Sequence, residues 1–259
     1  MKAVILAGGF GTRISEESAS KPKPMILIGD KPIIWHLMKL YSEYGINEFV
    51  ICGGYKFNDI ANYFLNYQKN LESFTVSLGS NELEIHQSHK ENWKVTVVNT
   101  GLNTMTGGRL KRVLPFIKDE KAFCFTYGDG LSDINIKKLI DFHYEHGKLA
   151  TMSAVHPPAR FGAVKIDSNN SILSFTEKPL GDGGRINGGF FILSPKVLDY
   201  IKDDTTTWEK DPLENLAADS ELKAYKHDGF WQPMDTLKDK RDLENRIKIN
   251  DAPWMKWRN

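Results

Sequence analysis

The residues able to do chemistry fall into three groups. A glycine-rich turn, Leu6-Ala7-Gly8-Gly9-Phe10-Gly11-Thr12-Arg13, follows a short apolar run. Glycines without a Cβ let backbone N–H groups approach phosphate oxygens, and Arg13 adds a fixed fork of donors. Asp129, in Tyr127-Gly128-Asp129-Gly130, follows a second apolar run, and Asp235, in Trp231-Gln232-Pro233-Met234-Asp235-Thr236, precedes a long helical pattern. Magnesium prefers oxygen ligands and usually takes only one or two carboxylates, with phosphate and water supplying the remainder. In Glu177-Lys178-Pro179 a carboxylate suited to hydroxyl donors adjoins an ammonium suited to phosphate. Such a set fits phosphoryl or nucleotidyl transfer, in which charge builds on the phosphate under attack and cations stabilise it.

Each group has a plainer alternative. The turn can be a glycine bend with a surface arginine, Asp235 a helix N-cap, and Glu177-Lys178 an exposed charge pair worth little. Two better-known phosphate motifs are absent. A P-loop would end in Gly-Lys-Ser/Thr, and in G-x-G-x-x-G the last position is occupied here by Ile14. The histidines offer no competing mechanism: His143 and His146 share a helix, and His86 and His89 flank a strand end, without a third ligand. Cys52 and Cys124 each sit inside an apolar run and read as core thiols.

Composition narrows the function further. The chain has 259 residues and a formal net charge of +1, which argues against a general nucleic-acid binder. No apolar stretch approaches the ~18 residues needed to span a bilayer, and the amino-terminal run is too short for a signal peptide. The expectation is a cytoplasmic protein without a membrane or nucleic-acid partner.

Positioning these residues requires strands and helices in alternation. Short β-rich runs at 2–6, 48–52, 74–78, 83–86, 94–98 and 122–126 are interleaved with helical patterns at 32–44, 58–67, 107–117 and 134–146. That order implies a mainly parallel sheet with helices on both faces, and ligands then bind beyond the carboxyl ends of its strands. The second half is β-rich at 150–155, 163–166, 172–177 and 190–193, with helical segments at 195–201, 208–218 and 236–249. No linker divides the chain, so a single α/β domain over 1–259 is expected. Its nucleotide-binding part spans about 1–130 and its sugar- and metal-binding part about 131–259.

The motif Gly8-Gly9-Phe10-Gly11-Thr12-Arg13, followed by Lys21-Pro22-Lys23-Pro24 and Gly29-Asp30-Lys31-Pro32, resembles the signature of the sugar nucleotidyltransferases, or pyrophosphorylases. Phe10 and Ile14 stand where that family usually has leucines. The resemblance covers nearly the whole chain and is closest to the glucose-1-phosphate cytidylyltransferase branch, through Asn99-Thr100-Gly101, Thr104-Met105-Thr106-Gly107-Gly108-Arg109 and Phe230-Trp231-Gln232-Pro233-Met234-Asp235. It implies a Rossmann-like mixed sheet flanked by helices, with a β-rich sugar-binding half. It also implies a nucleotide site of Leu6 to Arg13 with Lys23, Thr104, Arg109 and Gly128. Arg13, Lys23 and Asp129 would be catalytic, Lys23 being preferred to Lys21 by the family's spacing to Asp30-Lys31-Pro32. Asp129 and Asp235 would hold Mg2+, while Tyr127, Gly162, Glu177, Lys178, Asn187 and Gly188 would bind the sugar phosphate.

Arg109 is expected to begin a helix, where free backbone donors would join its charge on a phosphate. The implied substrates are CTP and α-D-glucose 1-phosphate, giving CDP-glucose and pyrophosphate without a covalent enzyme intermediate. The same chemistry with UTP or dTTP stays open, as does a catalytically silent sugar-nucleotide-binding subunit. Family members commonly self-associate, so a homo-oligomer is expected. The carboxy-terminal tryptophans Trp254 and Trp257 fit either an interface or packing on their own chain.

Overall fold

The apolar run Ala3–Ala7 forms strand β1 and is buried along its whole length. Six more strands share its sheet: β2 (Glu48–Gly53), β3 (Lys94–Asn99), β4 (Phe123–Tyr127), β5 (Ala150–Val155), β6 (Ile186–Leu193) and β7 (Leu222–His227). The computed structural model describes the chain apart from residues 19, 68–72, 87–90, 158–162, 167, 169–170, 177–183 and 259, and the side chains of residues 13, 15, 16, 85, 163–166, 175, 176 and 258.

The strands lie in the order β7-β5-β6-β4-β1-β2-β3. All neighbours run parallel except β6, which is antiparallel to both β4 and β5. This is the expected α/β class, a mainly parallel mixed sheet flanked by helices. Strands taken from both halves of the sequence share the one sheet.

Alternation along the central strands explains why they read as continuous apolar runs. Ala3, Ile5, Ala7, Phe49, Ile51, Cys124 and Ile192 enter one core with helix α1 (Ile33–Ser42). Val4, Leu6, Val50, Cys52, Phe123, Phe125 and Phe191 enter the other with Leu110, Trp208 and Leu216. The two cysteines thus lie on opposite faces, both fully buried, and burial pushes the Cys52 thiol up to about 12. They are core residues, as their settings suggested.

Helix α1 starts after Pro32 and ends at Ser42, and Gly45 just beyond, at φ 78°, turns the chain so that the Ile46 N–H reaches the Tyr41 carbonyl at 3.2 Å. Ile33 to Met38 are all buried, so this helix needs cover on more than one side. The carboxy-terminal segment provides it. Trp254 is fully buried with its Nε1–H 3.4 Å from His36 Nδ1, and Trp257 meets Trp35 edge-on at 5.7 Å. The carboxy-terminal tryptophans therefore pack on their own chain.

Several elements differ from expectation, two of them in ways that local chemistry explains. The helix expected over 107–117 is two, α2 (Thr106–Arg112) and α3 (Leu114–Ile117), because Pro115 has no N–H to continue the ladder. Strand β7 was not anticipated: it pairs only with β5 and its residues are partly or fully exposed, so it lacks an apolar signature. Among the described residues, no helix is long and apolar enough to cross a membrane.

Candidate active site

A cleft of about 550 Å³ opens at the carboxyl ends of β1 and β4. Because β6 runs the other way, its first residues, Asn187 to Gly189, reach the same edge and form a wall of the cleft. The register slips between β5 and β6 just there, and Gly189 adopts φ 77°. A Cβ on it would come within 2.7 Å of the Tyr127 ring.

The glycine loop forms the opposite wall. Leu6, Ala7, Gly9, Gly11 and Thr12 line the cleft, whereas Gly8 lies behind it and its carbonyl accepts the Tyr55 N–H at 3.1 Å. Gly11, at φ 66°, turns the chain so that its carbonyl accepts from the Ile14 N–H at 3.1 Å and the Ser18 hydroxyl at 2.9 Å. Phe10 is exposed and rests on Tyr55, with ring centroids 5.4 Å apart. Gly128 closes the corner between β1 and β4: its N–H donates to the Leu6 carbonyl at 2.9 Å, and a Cβ there would stand 2.5 Å from that oxygen. The Arg13 side chain lies outside the described residues, as do Gly162, Glu177 and Lys178.

At the mouth of the loop the two aspartates meet. Gly130–Ser132 pairs antiparallel with Trp231–Pro233, and the Met234 N–H donates to the Asp129 carbonyl at 2.8 Å. This ribbon holds Asp129 and Asp235 side by side although more than a hundred residues separate them. Lys23 Nζ bridges them, 2.6 Å from Asp129 Oδ2 and 2.8 Å from Asp235 Oδ1. Lys23 sits in a short turn flanked by Pro22 and Pro24, with its side chain only 11% exposed. Burial disfavours its charge, but the Asp129 carboxylate and then Asp235 outweigh that and raise its pKa. Lys21 is exposed. Lys23 is therefore a largely buried, paired lysine and not a solvated one.

Nor does Asp235 cap the last helix, α6 when numbered with α4 (Ile136–His146) and α5 (Asp211–Ala218), which spans Leu237–Lys248. Thr236 is the N-cap and forms a capping box with Asp239, whose carboxylate also accepts the Asp235 N–H at 3.1 Å. Two carboxylates aimed at one cation, which the ammonium stands in for, are the donor set that magnesium-like ions accept. Among the described residues no group of three or more histidine, cysteine, aspartate or glutamate side chains gathers anywhere that could hold a metal ion.

On the wall formed by Asn187 to Gly189 the Tyr127 hydroxyl accepts from Asn187 Nδ2 at 3.1 Å and is hydrogen-bonded to Glu209. Burial first, and then the Glu209 carboxylate, hold that phenol well above the usual range, so it stays protonated. Glu209 also accepts from the Thr106 hydroxyl at 2.6 Å, and both line the cleft with Trp231, whose Nε1–H donates to the Gly188 carbonyl at 2.7 Å. Glu209 and Thr106 escaped the reading of the sequence. Glu209 follows Trp208 on an irregular segment, where nothing local marks a carboxylate as facing a ligand.

Thr104 and Arg109 do not line the cleft among the described residues. Arg109 is 5% exposed and its guanidinium donates to Thr100 Oγ1 at 2.8 Å, to the Gly101 carbonyl at 2.7 Å and to the Leu102 carbonyl at 3.1 Å, while packing against Gly8. It is the fourth residue of α2, and its N–H is paired with the Met105 carbonyl at 2.9 Å. The Gly107 and Gly108 N–H groups both go to the Thr206 carbonyl. The free donors expected around Arg109 are therefore already used within the protein.

The glycine loop at the carboxyl end of β1, the paired Asp129 and Asp235 beside it and the polar wall opposite make a cleft suited to a nucleotide in a mainly parallel α/β sheet. Residues 2–246 match the family model for nucleotidyl transferase, and the chain belongs to that family. Over 257 residues it is 56% identical to glucose-1-phosphate cytidylyltransferase of Salmonella typhi, covering 99% of this chain and 100% of that protein. A probable glucose-1-phosphate cytidylyltransferase of Bacillus subtilis is 43% identical over 258 residues, again across 99% and 100% of the two chains. The crystal structure of HddC from Yersinia pseudotuberculosis complexed with GMP-PN superposes with a TM-score of 0.66 at 25% identity, covering 95% of this chain and 99% of that one.

Proposed function

We propose that this enzyme transfers the cytidylyl group of CTP to α-D-glucose 1-phosphate, giving CDP-glucose and pyrophosphate. The choice of substrates rests on the full-length likeness to the two cytidylyltransferases. The chemistry rests on one observation: Asp129, Asp235 and Lys23 meet in the same cleft as the glycine loop.

In this reading the backbone of Gly9 to Thr12 and the Arg13 guanidinium bind the triphosphate, and Lys23 reaches the phosphates from the loop's flank. Arg109 serves the nucleotide from behind, holding Thr100 to Leu102 and supporting Gly8, with Thr104 in the same segment. Asn187, Gly188, Tyr127 and Glu209 take sugar hydroxyls, joined by Gly162, Glu177 and, on the sugar phosphate, Lys178. An oxygen of the sugar phosphate attacks the α-phosphorus in line, the bond from that phosphorus to the bridging oxygen breaks, and pyrophosphate leaves. Among the described residues no serine, cysteine or histidine lines the cleft, which suits direct transfer without an enzyme nucleophile. Asp129 and Asp235 would hold Mg2+, which when bound neutralises charge on the phosphate oxygens. One sheet built from both halves supports reading the chain as a single domain. Need for CTP fits a cytoplasmic setting.

The test is pyrophosphate release from α-D-glucose 1-phosphate and Mg2+ with each of CTP, UTP, dTTP, GTP and ATP. Preference for CTP is expected. Preference for another nucleotide overturns the choice of substrate, and no release with any of them overturns the activity.

A further inference from the structure

Lys23 does more in this cleft than a phosphate-binding lysine needs to do. Its ammonium donates to one oxygen of Asp129 and one of Asp235, at 2.6 and 2.8 Å, the two carboxylates that the ribbon brings together. A divalent cation binding these same two oxygens would need them at about 2.1 Å and would lie within the space the ammonium fills. Two cations cannot share that position. The lysine stem is held between two prolines and lies against the loop, the Lys23 Cβ being 3.3 Å from where a Cβ on Gly11 would stand.

We propose that Lys23 and the divalent cation compete for the Asp129–Asp235 pair, so that Lys23 keeps the metal affinity of the free enzyme low until a triphosphate draws the ammonium away. The inference rests on reading the two aspartates as metal ligands. The ammonium stabilises the carboxylate pair in the free enzyme, where two like charges held this close would otherwise repel. The triphosphate offers Lys23 a better-matched partner and leaves the carboxylates to the cation. Metal and nucleotide then favour each other's binding, and by linkage the effect is reciprocal.

The experiment is calorimetric titration of the full-length protein with Mn2+ in the absence of nucleotide, comparing wild type with Lys23→Met and Lys23→Gln. Both variants are expected to bind one Mn2+ at least tenfold more tightly than wild type, and Lys23→Met combined with Asp129→Asn is expected to lose that gain. Thermal melts give a second readout. Mn2+ alone should raise the melting temperature of the Lys23 variants and leave that of wild type nearly unchanged.

Equal Mn2+ affinity in wild type and in whichever variant folds refutes the competition. So does wild type that binds Mn2+ tightly with no nucleotide present, a result that needs no variant at all. Pyrophosphate release by Asp129→Asn separates the two failures. If that variant turns over normally, the metal-ligand reading is wrong; if it is inactive while the Lys23 variants show no gain, only the competition is wrong.

Discussion

Replacing Asp129 by asparagine preserves the size of the side chain and removes its charge. Two consequences follow from the contacts at the site, and they point in different directions. The fold should barely notice. Lys23 keeps its second partner, Asp235, at 2.8 Å, and the Asp129 main-chain carbonyl still accepts the Met234 N–H at 2.8 Å. The Asp129 side chain is also 32% exposed, so the pair it loses is screened and the cost should stay near 1 kcal/mol. For a chain of this size that is a fall of only about 2–4 °C in Tm. Turnover, by contrast, should collapse. Removing one preorganised group that stabilises transition-state charge commonly costs 10²–10³-fold, and on the proposed reading of Asp129 as a metal ligand the loss belongs at the upper end. The expected loss is therefore about a thousandfold in kcat/KM, or ~4 kcal/mol of transition-state stabilisation. Steady-state pyrophosphate release, paired with thermal melts of the same preparation, reads both quantities. Activity within tenfold of wild type in a folded Asp129→Asn protein would refute the assignment.

Glu209→Gln should act on the sugar rather than on the nucleotide. It keeps a hydrogen-bonding side chain beside Tyr127 and Thr106 but weakens acceptance from hydroxyls, so KM for glucose 1-phosphate should rise about tenfold with that for CTP little changed. The pair His143 and His146 sets an acid limit on stability. His146 Nδ1 accepts the Lys148 N–H at 2.9 Å, so its Nε2–H donates to Thr151 Oγ1 at 2.7 Å, and the Thr151 hydroxyl in turn donates to His143 Nδ1 at 2.8 Å. Burial, and then the His146 charge, depress the His143 pKa to about 4. A histidine with a depressed folded pKa contributes stability that is fully present above about 6.5 and is lost as pH falls toward 4. The loss amounts to at most about 3 kcal/mol. Urea melts at pH 7 and pH 4.5 should show this fall in wild type and a shallower one in His143→Gln.

Much of the fold and part of the site were legible in local pattern. The buried strands announced themselves as short apolar runs because helices cover both faces of the sheet, and the turns after β1 and β4 announced themselves through glycines, Gly11 holding φ 66° and Gly128 leaving no room for a Cβ beside the Leu6 carbonyl. Strand β7 did not, since an edge strand with exposed side chains carries no apolar period. The break in the helix after Arg112 follows from Pro115, a local signal that outweighed the apolar spacing around it.

The amino-acid sequence by itself determined which residue types are on hand for the proposed chemistry: glycines and an arginine suited to phosphate, two aspartates suited to a cation, and a lysine between prolines. Only the tertiary structure decided which alternative each of these takes. Asp235 turns to Lys23 instead of capping its helix, because Thr236 and Asp239 already satisfy that helix start. Glu209 faces the cleft because the segment carrying it is tied to Thr106, which also accepts the Trp208 N–H at 2.9 Å. Arg109 turns inward because the carbonyls of Gly101 and Leu102 converge on it. Each outcome depends on partners far along the chain or on loop carbonyls whose direction is set by packing, and spacing in one dimension does not encode either.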